Sequence, residues 1–217
     1  MHRVNDKLKD FVYNYVKPYY DKTEAGHNMP HIEYVVARSI KFADQVFENS
    51  NGNEKVNYNM VYTIAMFHDT GHHIDRKTHE KLSAQILLNC QELKNFFNDD
   101  QIKTMAEAVE DHRASMSGEP RSIYGKIVST ADRNNSVEQC LFRSYHHTKK
   151  ANPTFTEDEI LENAYTHLNR KFGYNGYAKF YFVDQEYEKF LTEIRHLLKD
   201  KENFKNMQKN YIENLKK

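Results

Sequence analysis

The sequence predicts an all-α protein. Apolar residues recur every three or four positions through nearly the whole chain, the spacing that lines one face of a helix. Glycine and proline are scarce, at 7 and 4 of 217 residues, which suits helices joined by short connections. No stretch alternates apolar and polar residues clearly enough to suggest a strand or hairpin.

The elements follow in order. Val4–Tyr20 is amphipathic and is expected to stop near Pro18. A second helix starts around Pro30, a first-turn position that proline suits, and carries Ile32, Val35, Val36, Ile40, Ala43 and Val46. Residues 49–53 read as a loop. The third helix carries Val56, Met60, Val61, Ile64 and Ala65 and ends at His68-Asp69. A fourth runs from about His79 through Leu82, Ile86, Leu87 and Leu88 to Phe97, and a fifth carries Ile102, Met105, Ala106 and Val109. The loop 115–120 leads into a sixth with Ile123, Ile127, Val128 and Ala131. The polar run 149–154 is the expected break between a core, residues 1–150, and a helical extension packed on it, residues 151–217. That extension is again amphipathic, with Leu161, Leu168, Phe190, Leu191, Ile194 and Leu197. Its Lys-rich end from Lys199 reads as a solvated helix, with a partner-binding helix as the sharper alternative. The 15 tyrosines read as half-buried helix packing.

Charge excludes some functions. Lys+Arg and Asp+Glu are equal at 31 each, so no global field draws nucleic acid or an anionic membrane. Cys90 and Cys140 form no CxxC pair and read as free, buried thiols of a reducing compartment, one disulfide being the alternative. The first residues lack the apolar run of a signal peptide, and no apolar run spans a bilayer. The expectation is a soluble, cytoplasmic protein.

The most informative stretch is Ala65-Met66-Phe67-His68-Asp69-Thr70-Gly71-His72. Neighbours on a helix point about 100° apart, so His68 and Asp69 face one ligand only if the helix ends there. Gly71 is expected to supply that ending through a left-handed conformation. Other polar residues extend the buried stripes by one turn: His31 before Val35, His68 after Ile64, His79 before Ser83, His112 after Val109, Asp132 after Val128. Five helices thus each present a His or Asp toward the core near one end. Unpartnered burial would cost on the order of several kcal/mol per group, and a divalent ion removes much of that cost.

In the order His31, His68-Asp69 and Asp132, the chain resembles the HD superfamily of metal-dependent phosphohydrolases over roughly residues 28–143. Pro30-His31-Ile32-Glu33-Tyr34-Val35 is similar to the family's first helix, His68-Asp69-Thr70-Gly71 to its HDxG form, and Thr130-Ala131-Asp132-Arg133 to its final Asp segment. The resemblance implies an all-helical HD bundle that hydrolyses a phosphate ester or anhydride of a small, nucleotide-like substrate with a metal-activated water. His79 in His79-Glu80-Lys81-Leu82-Ser83-Ala84 and His112 in Asp111-His112-Arg113 resemble the added histidines of the dinuclear branches, H…HD…H…H…D. There the doublet's Asp, here Asp69, bridges two ions. The gap from Asp69 to His79 is shorter than in several dinuclear relatives, so a role for His79 behind the ligands or against phosphate stays open. The implied cofactor is one or two divalent ions, iron or manganese first, with magnesium, nickel or zinc as alternatives.

Two such cations can activate a bridging water and hold phosphate oxygens, so no Ser or Cys nucleophile is required. His72, within a turn of the doublet, could protonate a leaving oxygen or bind phosphate; the alternative is an exposed loop histidine beside His73. Arg113, Arg133 and Arg143 could neutralise phosphate by forked hydrogen bonds, Arg133 foremost because it adjoins Asp132. His27, one turn before His31, could face the same cavity, but its loop position reads as a plain turn residue; His146, His147 and His167 read as structural. Two other functions share the ligand pattern: a dinuclear iron oxygenase and a non-catalytic nucleotide-binding module. A homodimer is open.

Overall fold

The computed structural model describes residues 3–23, 27–52 and 55–215. Among these are ten α-helices, one short 3-10 helix and no strand. The helices are α1 (Asp6–Tyr20), α2 (Met29–Asn49), α3 (Tyr58–Phe67), α4 (His79–Asn89), α5 (Asp99–Glu110), α6 (Ile123–Ala131), α7 (Val137–Ala151), α8 (Glu157–Phe172), α9 (Gln185–Leu197) and α10 (Lys201–Asn214). Most start on a side-chain cap. Asn5, Asn57, Ser122, Ser136, Asp184 and Asp200 each accept a first-turn N–H, and Asn98 and Thr156 complete capping boxes with Gln101 and Glu159. Only α2 and α4 lack such a cap among the described α-helices. Their first turns carry His31 and His79.

The chain divides into two compact units, one up to Asp132 and one from Arg133. In the first, α3 packs against α1, α2, α4, α5 and α6. Its residues Met60 to Phe67 are all buried, as expected of a helix that is apolar on every side. The second unit comprises α7 to α10. Phe172, Phe190, Ile194, Leu197 and Phe204 share its core with Cys140 and Leu141. The Lys-rich α10 buries Phe204, Gln208 and Ile212, while Lys201, Lys205 and Lys209 pair with Glu162, Asp158 and Glu157 of α8.

Several boundaries differ from expectation. Pro18 sits inside α1, which continues to Tyr20 because that side chain is buried and its hydroxyl donates to the Met66 carbonyl at 2.7 Å. The fourth helix does not reach Phe97: it ends at Asn89, and a 3-10 turn, Gln91–Asn95, follows and tucks Leu93 into the core. Residues 149–154 lie within the second unit, covering the last turn of α7 and the start of its connection to α8, and the compact units divide in the chain after Asp132. Cys90 and Cys140 are free and buried.

Candidate metal centre

α3 ends at Phe67, and the turns that follow bring His68 and Asp69 to one place. The reason is not a left-handed glycine, since only Gly52 and Gly118 among the described glycines have positive φ. Gly71 is needed for close approach: a Cβ there would stand 2.6 Å from the Leu82 Cβ and 2.7 Å from the His79 carbonyl oxygen.

Asp69 lies between two sets of imidazoles. Its Oδ1 faces His79 Nε2 at 3.4 Å and His112 Nε2 at 3.6 Å, and those two nitrogens are 3.1 Å apart. Its Oδ2 faces His68 Nε2 at 3.6 Å and His27 Nδ1 at 2.7 Å. Asp132 Oδ1, from the end of α6, is 3.1 Å from His31 Nε2 and 3.8 Å from His68 Nε2. Donors about 2.1 Å from an ion stand about 3.0 Å apart when adjacent in an octahedron and about 3.4 Å apart in a tetrahedron. The separations within Asp69–His79–His112 lie near those values, those within His31–His68–Asp132 reach somewhat wider, and each group could hold a metal ion.

The backbone fixes which nitrogen faces inward. His68, His79 and His112 each place Nδ1 against a carbonyl oxygen three residues back, on Ala65 at 2.7 Å, Arg76 at 2.9 Å and Val109 at 2.6 Å. A carbonyl only accepts, so each Nδ1 carries the hydrogen and each neutral Nε2 offers a lone pair to the centre. His68 Nε2 is buried with no hydrogen-bond partner. The lone pairs of His79 and His112 converge with Asp69 Oδ1 on a space that only a proton or a metal cation can reconcile. The donor set therefore fits a divalent ion.

Electrostatics agree. Burial pushes His68 down to about 4 despite the nearby Asp69 and Asp132. Burial would raise Asp69, yet His68, His112 and His27 together hold it well below the usual carboxylate range. Asp132 likewise ends low, burial being outweighed by the His31 hydrogen bond and the His68 charge. His79 is lowered by burial and by His112, whereas His112 is raised because Asp69 overcomes its burial. A charged His112 is the protonated form of the space described above.

The other candidates separate. His72 is no exposed loop residue; it is 7% exposed, and burial with the neighbouring His27 lowers it to about 4. His27 is more than a turn residue, given its contact with Asp69. Its spacing, one turn before His31, hints at the same cavity, but its place ahead of the α2 cap favours a plain turn residue. Arg113 donates to the Lys77 carbonyl at 2.6 Å and to Glu80 at 3.3 Å. With Lys81 and Arg121 it lines a surface depression of about 470 Å³. Arg133 is buried in the second unit, where its carbonyl accepts the Tyr187 hydroxyl at 3.0 Å. Arg143, His146, His147 and His167 are exposed.

No described helix is long and apolar enough to cross a membrane. No curated protein and no solved structure matches the chain. The family model of the HD domain matches residues 31–134, from the first candidate ligand to just beyond the last. That match, with the all-helical fold and the converging His and Asp groups, supports HD-domain superfamily membership for this stretch of the chain.

Proposed function

We propose that the chain is a metal-dependent phosphohydrolase with two divalent ions, acting on a phosphate ester or anhydride of a small, nucleotide-like substrate. His31, His68 and Asp132 hold one ion, His79 and His112 the other, and Asp69 serves both. The observation that carries this reading is the division of Asp69, with Oδ1 turned to His79 and His112 and Oδ2 to His68. Iron and manganese suit this mixture of imidazole and carboxylate. When bound, the ions would supply Lewis acidity and an activated water.

The chain's own groups account for the rest. Asp69 and Asp132 stay anionic across the working range and offset the added positive charge. His72 stays neutral near pH 7, so it would meet a substrate oxygen as an N–H donor or take up a proton, not arrive charged. Arg113 and Arg133 are the candidates for substrate phosphate. Arg113 is the accessible one of the two, its side chain 38% exposed.

The test is phosphate release from a panel of nucleotides and sugar phosphates, with iron(II) or manganese, by the full chain and Asp69→Ala. Release that needs no dioxygen and is lost in Asp69→Ala is expected. Unchanged release in that variant, or turnover only with dioxygen consumed, overturns the reading. Tight nucleotide binding without turnover under any ion would favour a binding module.

A further inference from the structure

We propose that His27 is a positioning residue for Asp69, and that stacking on His72 holds its ring for that task. The inference rests on reading Asp69 as a metal ligand. His27 Nδ1 and Asp69 Oδ2 are 2.7 Å apart. A carboxylate oxygen accepts, so Nδ1 carries the hydrogen and donates it. His27, His31 and Asp69 together also resemble an ion-holding group. The 2.7 Å contact decides against that role, being shorter than the about 3.0 Å between adjacent ligands of one ion.

The donor is itself held on several sides. The His27 ring lies flat on His72, with centroids 3.8 Å apart and planes 18° from parallel, and meets His31 edge-on at 5.7 Å. The Thr23 hydroxyl reaches the His27 carbonyl at 2.7 Å and the Tyr20 carbonyl at 2.8 Å. Tyr20 in turn is fixed to Met66, two residues before the doublet, through its own hydroxyl. The chain entering α2 is thereby referenced to the end of α3.

The consequence for Asp69 is orientational. A carboxylate rotates readily about its last bond, and a free one would present its oxygens to the two imidazole sets only part of the time. With Oδ2 anchored by His27, Oδ1 is aimed at His79 and His112 before any ion arrives. Partners that orient ligands in this way are worth about 10–100-fold in metal affinity.

The experiment measures manganese(II) binding by electron paramagnetic resonance, and metal content after dialysis, on the full chain. The variants are His27→Phe, His27→Gln and His27→Asn. Phenylalanine keeps a ring for His72 but donates nothing. Asparagine places an amide N–H near the Nδ1 position, and glutamine places one nearer Nε2. Binding about 10–100-fold weaker in the Phe and Gln variants, largely restored in the Asn variant, is expected. Wild-type affinity in the Phe and Gln variants overturns the inference and leaves the dinuclear reading standing. Loss of a whole equivalent in all three variants makes His27 a ligand, which also overturns it. If the wild-type chain takes up no manganese or iron, the dinuclear reading itself falls and this inference with it.

Discussion

Gly71 gives its backbone N–H to Ser83 Oγ across 2.9 Å, which ties the turn carrying His68 and Asp69 to the helix carrying His79. The two segments touch so closely that a Cβ at Gly71 would also stand 2.8 Å from the Ser83 nitrogen. Gly71→Ala is therefore expected to cost about 1–3 kcal/mol through overpacking, and to lower the metal retained at the His79 side. Thermal melting and metal content measure the two effects. A variant that melts like the wild type would show that the approach is not limiting.

Stoichiometry should follow the two groups. His79→Ala or His112→Ala is expected to remove one ion and leave the other, and His31→Ala or Asp132→Ala to do the converse. Asp69→Ala is expected to lose both. Metal analysis of protein prepared with iron(II) or manganese reads this directly. A wild-type chain that holds only one equivalent, unaffected by His79→Ala, would make His79 a bystander.

The metal-free protein should weaken on acidification between about pH 6.5 and 4. His68 titrates at about 4 when folded, against 6.5 as an ordinary imidazole. As pH falls through 6.5 the unfolded chain gains a proton that the folded chain does not, so stability is full above that value and declines toward pH 4. For His68 alone the decline amounts to about 3 kcal/mol. His72 and His79, also lowered, add to it, while His112, raised, opposes it. With three imidazoles lowered and one raised, the net sign is a loss. Melting temperatures of chelator-treated protein should fall over this window, and less steeply in His68→Gln. A flat profile would contradict the burial of neutral imidazoles.

Both thiols should be inert in the native protein. Burial pushes Cys140 up to about 12 and Cys90 up to about 11, so neither offers appreciable thiolate at pH 8. A chromogenic disulfide reagent should label both only after denaturation. Rapid labelling of either before unfolding would mean that its surroundings open readily.

The helical class and most helix positions were legible because an apolar stripe and an Asn, Ser, Thr or Asp cap are both local signals. The same stripes, extended by one turn, led to His31, His68, His112 and Asp132, whose helix ends do converge. What local pattern could not carry was contact between distant segments. His27 stands one turn before His31 but outside the helix, so its spacing was only a hint, and its contact with Asp69 comes from a distant segment. Gly71 signalled a turn, but its reason is the backbone of α4 packed against it. The break of the fourth helix after Asn89 carries no glycine or proline, and Leu93 is buried through a tighter turn instead. The division after Asp132 is equally unmarked, because only the five residues 132–136 separate α6 from α7.

The missing caps of α2 and α4 have a plain physical reading. At both helix starts the first turn holds an inward-facing histidine, where no side chain closes the end in the usual way. The histidines at the other helix ends, His68 and His112, have their chemical form written within four consecutive residues, by a carbonyl of their own last turn. Each such end is a cassette whose tautomer, and so which nitrogen faces inward, is set by local chain geometry. Assembly of the centre then needs no further chemistry, only the arrival of ready-made ends at one point. A helix carrying such a cassette could be transplanted to another bundle with its tautomer intact.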